Sequence, residues 1–267
     1  AFLSTHAQII DIPDANFKAA LISENVDING DGEISVAEAE TIVDLNVSNQ
    51  NIVSLEGIQA FINLNGLGAQ NNQLTSLDIS TLNELTSLNV DDNSFTTTDT
   101  IIFPTNSNND WFGLSIANNL LTSINNLPLN LTDLYCSDNP LASLDISGLN
   151  LWEFNLSNTP NLTSLVLSSL SYEIWLDNVG LTELDISELG LQTFDCRNNP
   201  NLTYLKIGPG GQGDSNGCYS ISDNPVLETI SFKNGIGNLG GYDYGCYSIC
   251  NNPSLTFVCA DESEIEN

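Results

Sequence analysis

Positive charge is almost missing from this chain. Lys18, Arg197, Lys206 and Lys233 are its only lysines and arginines, set against 34 acidic residues in 267, for a formal charge of −30. Four scattered cations cannot neutralise a run of phosphates, which excludes electrostatic binding of nucleic acid. The same deficit argues against docking on anionic lipid. Methionine is absent, and no apolar run approaches the roughly 18 residues that a membrane span needs. His6 is the only histidine. It falls in a segment expected to be cleaved or frayed, so Ser–His and Cys–His catalytic groups and histidine-built metal sites are excluded. Extreme acidity accompanies disorder in chains with little to bury. Here 41% of residues are hydrophobic, and they are regularly spaced.

The spacing is a repeat. Leu131-Thr-Asp-Leu134-Tyr-Cys136-Ser-Asp-Asn139-Pro-Leu141 fits L-x-x-L-x-L/C-x-x-N-x-L, the leucine-rich-repeat pattern. The central apolar pair of this frame recurs at Leu45/Val47, Leu67/Ala69, Leu88/Val90, Leu114/Ile116, Leu134/Cys136, Phe154/Leu156, Ile174/Leu176, Phe194/Cys196, Tyr219/Ile221 and Tyr247/Ile249. The four steps from Leu114 to Phe194 are each 20 residues, and longer steps coincide with insertions at 95–110, 208–217 and 234–245. A second arm, Leu74-Thr-Ser-Leu77-Asp-Ile79-Ser80, returns as Leu141–Ser147 and Leu181–Ser187. It alternates apolar and polar residues and so reads as extended chain. About 20 residues per turn leave little room for a convex helix. The expectation is a leucine-rich-repeat solenoid over 44–262, with about ten turns of 20–22 residues. Short parallel strands form the concave face, and short strands or extended arms form the convex side. Asn72, Asn93, Asn119, Asn139, Asn199, Asn224 and Asn252 occupy the asparagine slot, where stacked amides can bond the backbone of the bend. Gln50, Thr159 and Val179 interrupt this ladder and predict locally irregular turns.

Residues 8–43 read as a helical N-terminal cap with a calcium loop at 27–38. Asp27, Asn29 and Asp31 hold positions 1, 3 and 5 of the 12-residue loop, and Gly32 permits the bend at position 6. Glu33 offers its backbone carbonyl, Ser35 ligates directly or through water, and Glu38 supplies two oxygens. Asp14 is the expected N-cap of an amphipathic helix through Phe17, Leu21 and Ile22. Ser35 and Glu38 also form a capping-box pair, so a second helix starts inside the loop. A lone loop at the mouth of a solenoid reads as a structural clip for Ca2+, not as a sensor.

Cys136 and Cys196 fall on inward positions three turns apart, roughly 15 Å at ordinary strand spacing, too far to pair. Cys218 and Cys246 occupy one register in the matching segments GCYSISDNP and GCYSICNNP. Adjacent strands bring such positions to about 4.8 Å, inside the disulfide range, although parallel side chains resist the required dihedral. Cys250 and Cys259 are a second possible pair in the last turn. Gly235-Ile-Gly237-Asn-Leu-Gly240 matches a dinucleotide fingerprint without a following helix, and 208–213 lacks the lysine of a phosphate loop. Both read as surface loops. Residues 1–7 fit a signal-peptide remnant, and 263–267 a C-terminal tail.

Outward positions of turns five to eight collect Asp133, Tyr135, Trp152, Glu153, Glu173, Trp175, Asp177, Asp195 and Arg197. Exposed tryptophan on a soluble chain points to a ligand. Aromatic faces suit sugars and protein hot spots alike. Arg197 is expected to pair first with Asp177 or Asp195. Asp133, Glu153 and Glu173 form an acidic ladder whose spacing would also suit a retaining glycosidase. Against the binding reading, Trp152 could fold back and pad the core.

The stretch IPDANFKAALISENVDINGDGEISVAEAETI, followed by LTSLDIS and LxxLxCSxN units, resembles the secreted, internalin-like leucine-rich-repeat proteins of Bacteroidetes from about Ile9 to Asp261. The resemblance implies an exported or cell-surface interaction module, and binding in place of catalysis. The expected function is therefore recognition or adhesion by a monomer whose concave face takes a protein or a surface glycan. The alternatives are a carboxylate-based glycan-cleaving enzyme and a structural spacer in a larger surface protein.

Overall fold

A 20-residue turn cannot bury its own leucines; it buries them against the turns before and after. The computed structural model describes residues 8–105, 109–167, 169–208, 218–232 and 246–259. It divides into two compact units, Ala1–Leu131 and Thr132–Asn267. Both are leucine-rich-repeat solenoid.

The first unit opens with helix α1 (Ala15–Ser23), capped by Asp14, and buries Phe17, Ala20 and Leu21. Helix α2 (Val36–Ala39) starts at Ser35 with both capping-box bonds to Glu38 in place. The repeat strands then follow: β1 (Asp44–Asn46), β2 (Gly66–Gly68), β3 (Leu77–Asp78), β4 (Ser87–Asn89), β5 (Ile101–Ile102) and β6 (Phe112–Ser115). The main sheet runs β1-β2-β4-β6, all parallel, with Leu45, Leu67, Leu88 and Leu114 in one register. The convex arms β3 and β5 pair separately.

The second unit takes in β7 (Leu131–Tyr135) from Thr132 onward. It continues through β8 (Ser143–Asp145), β9 (Asn150–Asn155), β10 (Ser164–Val166), β11 (Ser169–Trp175), β12 (Glu183–Ile186), β13 (Thr193–Arg197), β14 (Tyr204–Ile207), β15 (Cys218–Ser222), β16 (Thr229–Ser231), β17 (Cys246–Cys250) and β18 (Phe257–Cys259). Its main sheet is β7-β9-β11-β13-β15-β17, and the back strands are β8 with β10 and the row β12-β14-β16-β18. Leu134, Phe154, Ile174 and Phe194 fill the core in one register, each fully buried. Back arms end on an aspartate turn: Asp78, Asp145 and Asp185 each accept the N–H of the serine two residues on, at 3.0 Å.

Each corner depends on two adjacent residues. The buried asparagine ties one turn to the next. Asn199 Oδ1 accepts the Val179 N–H at 2.8 Å, and its Nδ2 donates to the Leu176 carbonyl at 3.0 Å. The residue before the asparagine slot is Asn49, Asn71, Asp92, Asn118, Asp138, Asn158, Asn178, Asn198, Asp223 or Asn251. Every one of these has φ between +50° and +60°. Only asparagine and aspartate tolerate that region well among side chains with a Cβ. The expected irregular turns at Thr159 and Val179 are not irregular in backbone, because Asn158 and Asn178 keep the same left-handed φ. The Thr159 hydroxyl donates to the Leu156 carbonyl at 2.9 Å, replacing part of what an amide would do.

Among the described residues the core pattern lapses at one predicted position. Ile249 is 36% exposed, because among the described residues no main-sheet strand follows β17 to cover it. The segment 1–7, the glycine-rich stretches 209–217 and 235–240 and the tail 263–267 lie outside the described residues.

Candidate functional site

The loop 27–38 is built by side chains folding onto its own backbone. Asp27 Oδ1 accepts the N–H of Gly30 at 2.8 Å, and Oδ2 that of Gly32 at 2.9 Å. Asn29 and Asp31 accept the N–H two residues on, at 2.8 and 2.9 Å. Gly32 turns the chain at φ +81°. Glu38 brackets the loop: Oε1 accepts from Ile28 and Asn29 at 3.0 and 3.2 Å, and Oε2 from the Ser35 N–H and hydroxyl at 2.9 and 2.8 Å. Those Ser35 bonds hold the Glu38 carboxyl below its ordinary range, against the effect of burial. The Glu33 carboxylate pairs with Lys18 at 2.7 Å, which leaves its carbonyl as the loop's donor. Residues 8–10 lie antiparallel to 34–36, with Ile10 N–H to the Ile34 carbonyl and Val36 N–H to the Gln8 carbonyl, both at 2.8 Å. All the donors are hard oxygens, of the kind calcium takes. Among the described residues no three His, Cys, Asp or Glu side chains converge as a metal group; the loop's set relies also on Asn29, Ser35 and a carbonyl.

The second cluster is on the main-sheet face of the second unit turned from its core. Asp133, Glu153, Glu173 and Thr193 share one register across β7, β9, β11 and β13. Tyr135, Asn155, Trp175 and Asp195 form the next row. The carboxylates are held by hydroxyls: Thr132 donates to Asp133 at 2.8 Å, Tyr135 to Glu153, and Thr193 to Glu173 at 3.2 Å. Burial raises the Asp133 carboxyl, with the Glu153 charge adding to the effect. Burial also raises the Tyr135 phenol, together with its bond to Glu153. Arg197 forks onto Asp195, its Nε at 2.5 Å from Oδ1. Asp177 instead accepts from the Asn198 amide at 2.9 Å.

Sequence reasoning missed Tyr172. Between Leu170 and Ile174 β11 carries one residue more than β9 carries between Leu151 and Phe154, and the register shifts there. This bulge sets Ser171 and Tyr172 against Trp152. Trp152 is 58% exposed and Tyr172 44%, so Trp152 does not pad the core. The one-residue difference in spacing between those apolar pairs was the available signal.

Cys218 and Cys246 are in register on β15 and β17; their side chains lie outside the described residues. The second pairing is not formed: Cys250 and Cys259 are both free thiols. They belong to β17 and β18, in different sheets, and facing sheets pack about 10 Å apart, beyond disulfide reach. Cys136 and Cys196 are free and buried. Burial pushes the Cys196 thiol up to about 12 and raises Cys136 as well. Among the described residues no helix is long and apolar enough to cross a membrane.

No family model and no curated protein sequence matches the chain. Solved structures do. The functional domain of InlJ from Listeria monocytogenes, which includes a cysteine ladder, aligns over 97% of this chain at 21% identity with a TM-score of 0.56. The chain spans 62% of that domain's length. An internalin, InlF, of the same species aligns over 96% of this chain and 98% of its own, at 17% identity and TM-score 0.41. A leucine-rich-repeat protein of Leptospira interrogans covers 85% and 74%, at 16% identity and TM-score 0.39. The likeness to the InlJ domain supports the leucine-rich-repeat fold.

Proposed function

We propose that this chain is an extracellular recognition module, a monomer that binds its ligand on the exposed face of β7, β9, β11 and β13. The observation that carries the reading is the pair of open aromatic rings, Trp152 and Tyr172, beside a row of hydrogen-bonded carboxylates. Such rings gain by being covered, and their neighbours are already positioned by hydroxyls. The ligand class is a protein or a surface glycan. Trp152→Ala, and Trp175→Ala at the half-buried ring beside it, should each weaken its binding, by about 2 kcal/mol or more, with little change in stability for Trp152→Ala. Binding that is unchanged, with stability lost, would make these aromatics scaffold and overturn the reading.

We also propose that the loop 27–38 holds one calcium ion through Asp27, Asn29, Asp31, the Glu33 carbonyl, Ser35 and Glu38. The ion would neutralise the loop's carboxylates. The protein's own part is the bracketing of both loop ends by Glu38 and the pairing of 34–36 with 8–10. That pairing fastens the loop to the chain entering α1.

The register of Asp133 against Glu153 admits a second reading, glycan cleavage by two carboxyls. Release of reducing ends from a glycan pool, abolished by Glu153→Gln, would establish it; no release rejects it.

A further inference from the structure

The acidic row on β7, β9 and β11 has no counter-charge of its own. Among the described residues the ion pairs are Lys18–Glu33, Arg197–Asp195 and Lys206–Asp185, and none involves Asp133, Glu153 or Glu173. Their partners are neutral: the hydroxyls of Thr132, Tyr135 and Thr193, with the Glu153 backbone N–H also serving Asp133. Like charges directly opposite on neighbouring strands, about 4.8 Å apart, repel one another. The fold keeps three of them in line, and among the described residues no lysine or arginine pairs with them.

Aromatic rings lie on both sides of this row. Trp152 and Tyr172 stand exposed at the bulge on the N-terminal side. Tyr135 and Trp175 follow the carboxylates by two residues on the C-terminal side, in register with each other through Asn155. A flat cation meets carboxylate oxygens along the row and π faces beside it, which together favour guanidinium. An anionic ligand has nothing to meet, since Arg197 is already taken by Asp195. A neutral sugar would stack on the rings and leave the charge repulsion in place. A single metal ion needs converging ligands, and these carboxylates are spread along a row over three strands.

We propose that this face binds an arginine- or lysine-rich segment of a partner protein, laid in extended form across β7, β9 and β11. The row Asp133–Glu153–Glu173 takes its cationic groups, and Trp152, Tyr172 and Trp175 stack on them. Same-side residues of an extended peptide repeat about every 7 Å, so two cations fit a row that crosses three strands over about 10 Å. The proposal rests on the recognition reading above and narrows its ligand.

The probe is fluorescein-labelled hexa-arginine, compared with hexa-citrulline, which keeps the planar side chain without the charge. Anisotropy should show hexa-arginine binding at low salt and weakening as salt rises, with hexa-citrulline inert. The double variant Glu153→Gln/Glu173→Gln should lose roughly tenfold in affinity, and Trp175→Ala a similar amount. The convex pair Glu183→Gln/Glu188→Gln carries the same charge change and should stay within about twofold. Melting curves establish that each variant is folded. Equal losses in both double variants would mean unspecific attraction to an acidic chain and overturn the proposal. Equal binding of hexa-citrulline, or no binding of hexa-arginine, would overturn it too. If the peptide fails but Trp175→Ala still abolishes binding on a glycan array or a surface-protein panel, the recognition reading stands without its cationic ligand. If Trp175→Ala changes none of these, both fall.

Discussion

Asp14 Oδ2 accepts the backbone N–H of Val53 at 2.8 Å, across 39 positions of sequence, while its Oδ1 caps helix α1 through Asn16 and Phe17. Ser54 adds a fourth N–H at 3.0 Å. One carboxylate thus fastens the cap helix to the first turn of the solenoid.

Asp14→Ala should therefore cost about 3 kcal/mol, a lost cap plus two stranded N–H donors. Burial pulls this carboxyl upward, but the four N–H bonds outweigh it and hold it below its ordinary range. The folded state then binds the proton less readily than the unfolded one. The resulting stability is fully present above the ordinary carboxylate range and is lost as pH falls through the lowered value. Urea melts at neutral and acid pH should show the gap between wild type and Asp14→Ala closing on the acid side. A gap that widens there would contradict this account.

Chelation tests the loop. With calcium at 100 times its dissociation constant, linkage adds roughly 2.7 kcal/mol to the unit containing the loop. Adding chelator should lower the melting transition, and Glu38→Gln should abolish the calcium dependence. Gly32→Ala, at φ +81°, should weaken calcium by straining the bend. A melt indifferent to chelator would remove the ion from the proposal.

At the corners, Asn71 has φ +55°. Asn71→Gly should be nearly neutral, whereas Asn71→Val should cost about 1–2 kcal/mol by equilibrium unfolding. Equal effects would mean that the left-handed backbone is not what selects asparagine there.

Thiol labelling should divide the cysteines by environment. Cys250 is exposed, while Cys136 and Cys196 are buried with raised thiols. In the native protein Cys250 should react first, and the two core thiols only at the rate of unfolding. Rapid native labelling of Cys136 would place it outside the core. Non-reducing mass mapping of the same sample decides the Cys218–Cys246 pair that the shared register on β15 and β17 allows: a linked peptide establishes the bond, and two free thiols exclude it.

The solenoid was legible because burial imposes a period: Leu134, Phe154, Ile174 and Phe194 had to face inward, and they do. The capping box at Ser35 and Glu38 was legible because two residue types at fixed spacing satisfy one helix end. The left-handed residue before each asparagine was visible as a column of Asn and Asp, but a column of polar residues on an acidic chain does not announce a dihedral angle. Tyr172 was hidden by one extra residue in β11, which shifts the face its neighbours present. The Asp14–Val53 bond could not be read at all. Local pattern shows a cap, while the second half of its carboxylate answers to a segment far along the chain.

The amides that join one turn to the next also set how the chain would come apart under load. The side chains of Asn199 and Asn224 each hold backbone of the preceding turn, whereas the Thr159 side chain bonds only to the Leu156 carbonyl of its own turn. A pull on the C-terminus should strip turns one at a time, in longer steps of contour length for the turns with insertions at 208–217 and 234–245 and shorter ones for the 20-residue turns, with a drop in force when the peeling front reaches the corner at Thr159. Optical-trap traces in which that corner resists as strongly as those at Asn199 and Asn224 would show that the amide column bears no tension.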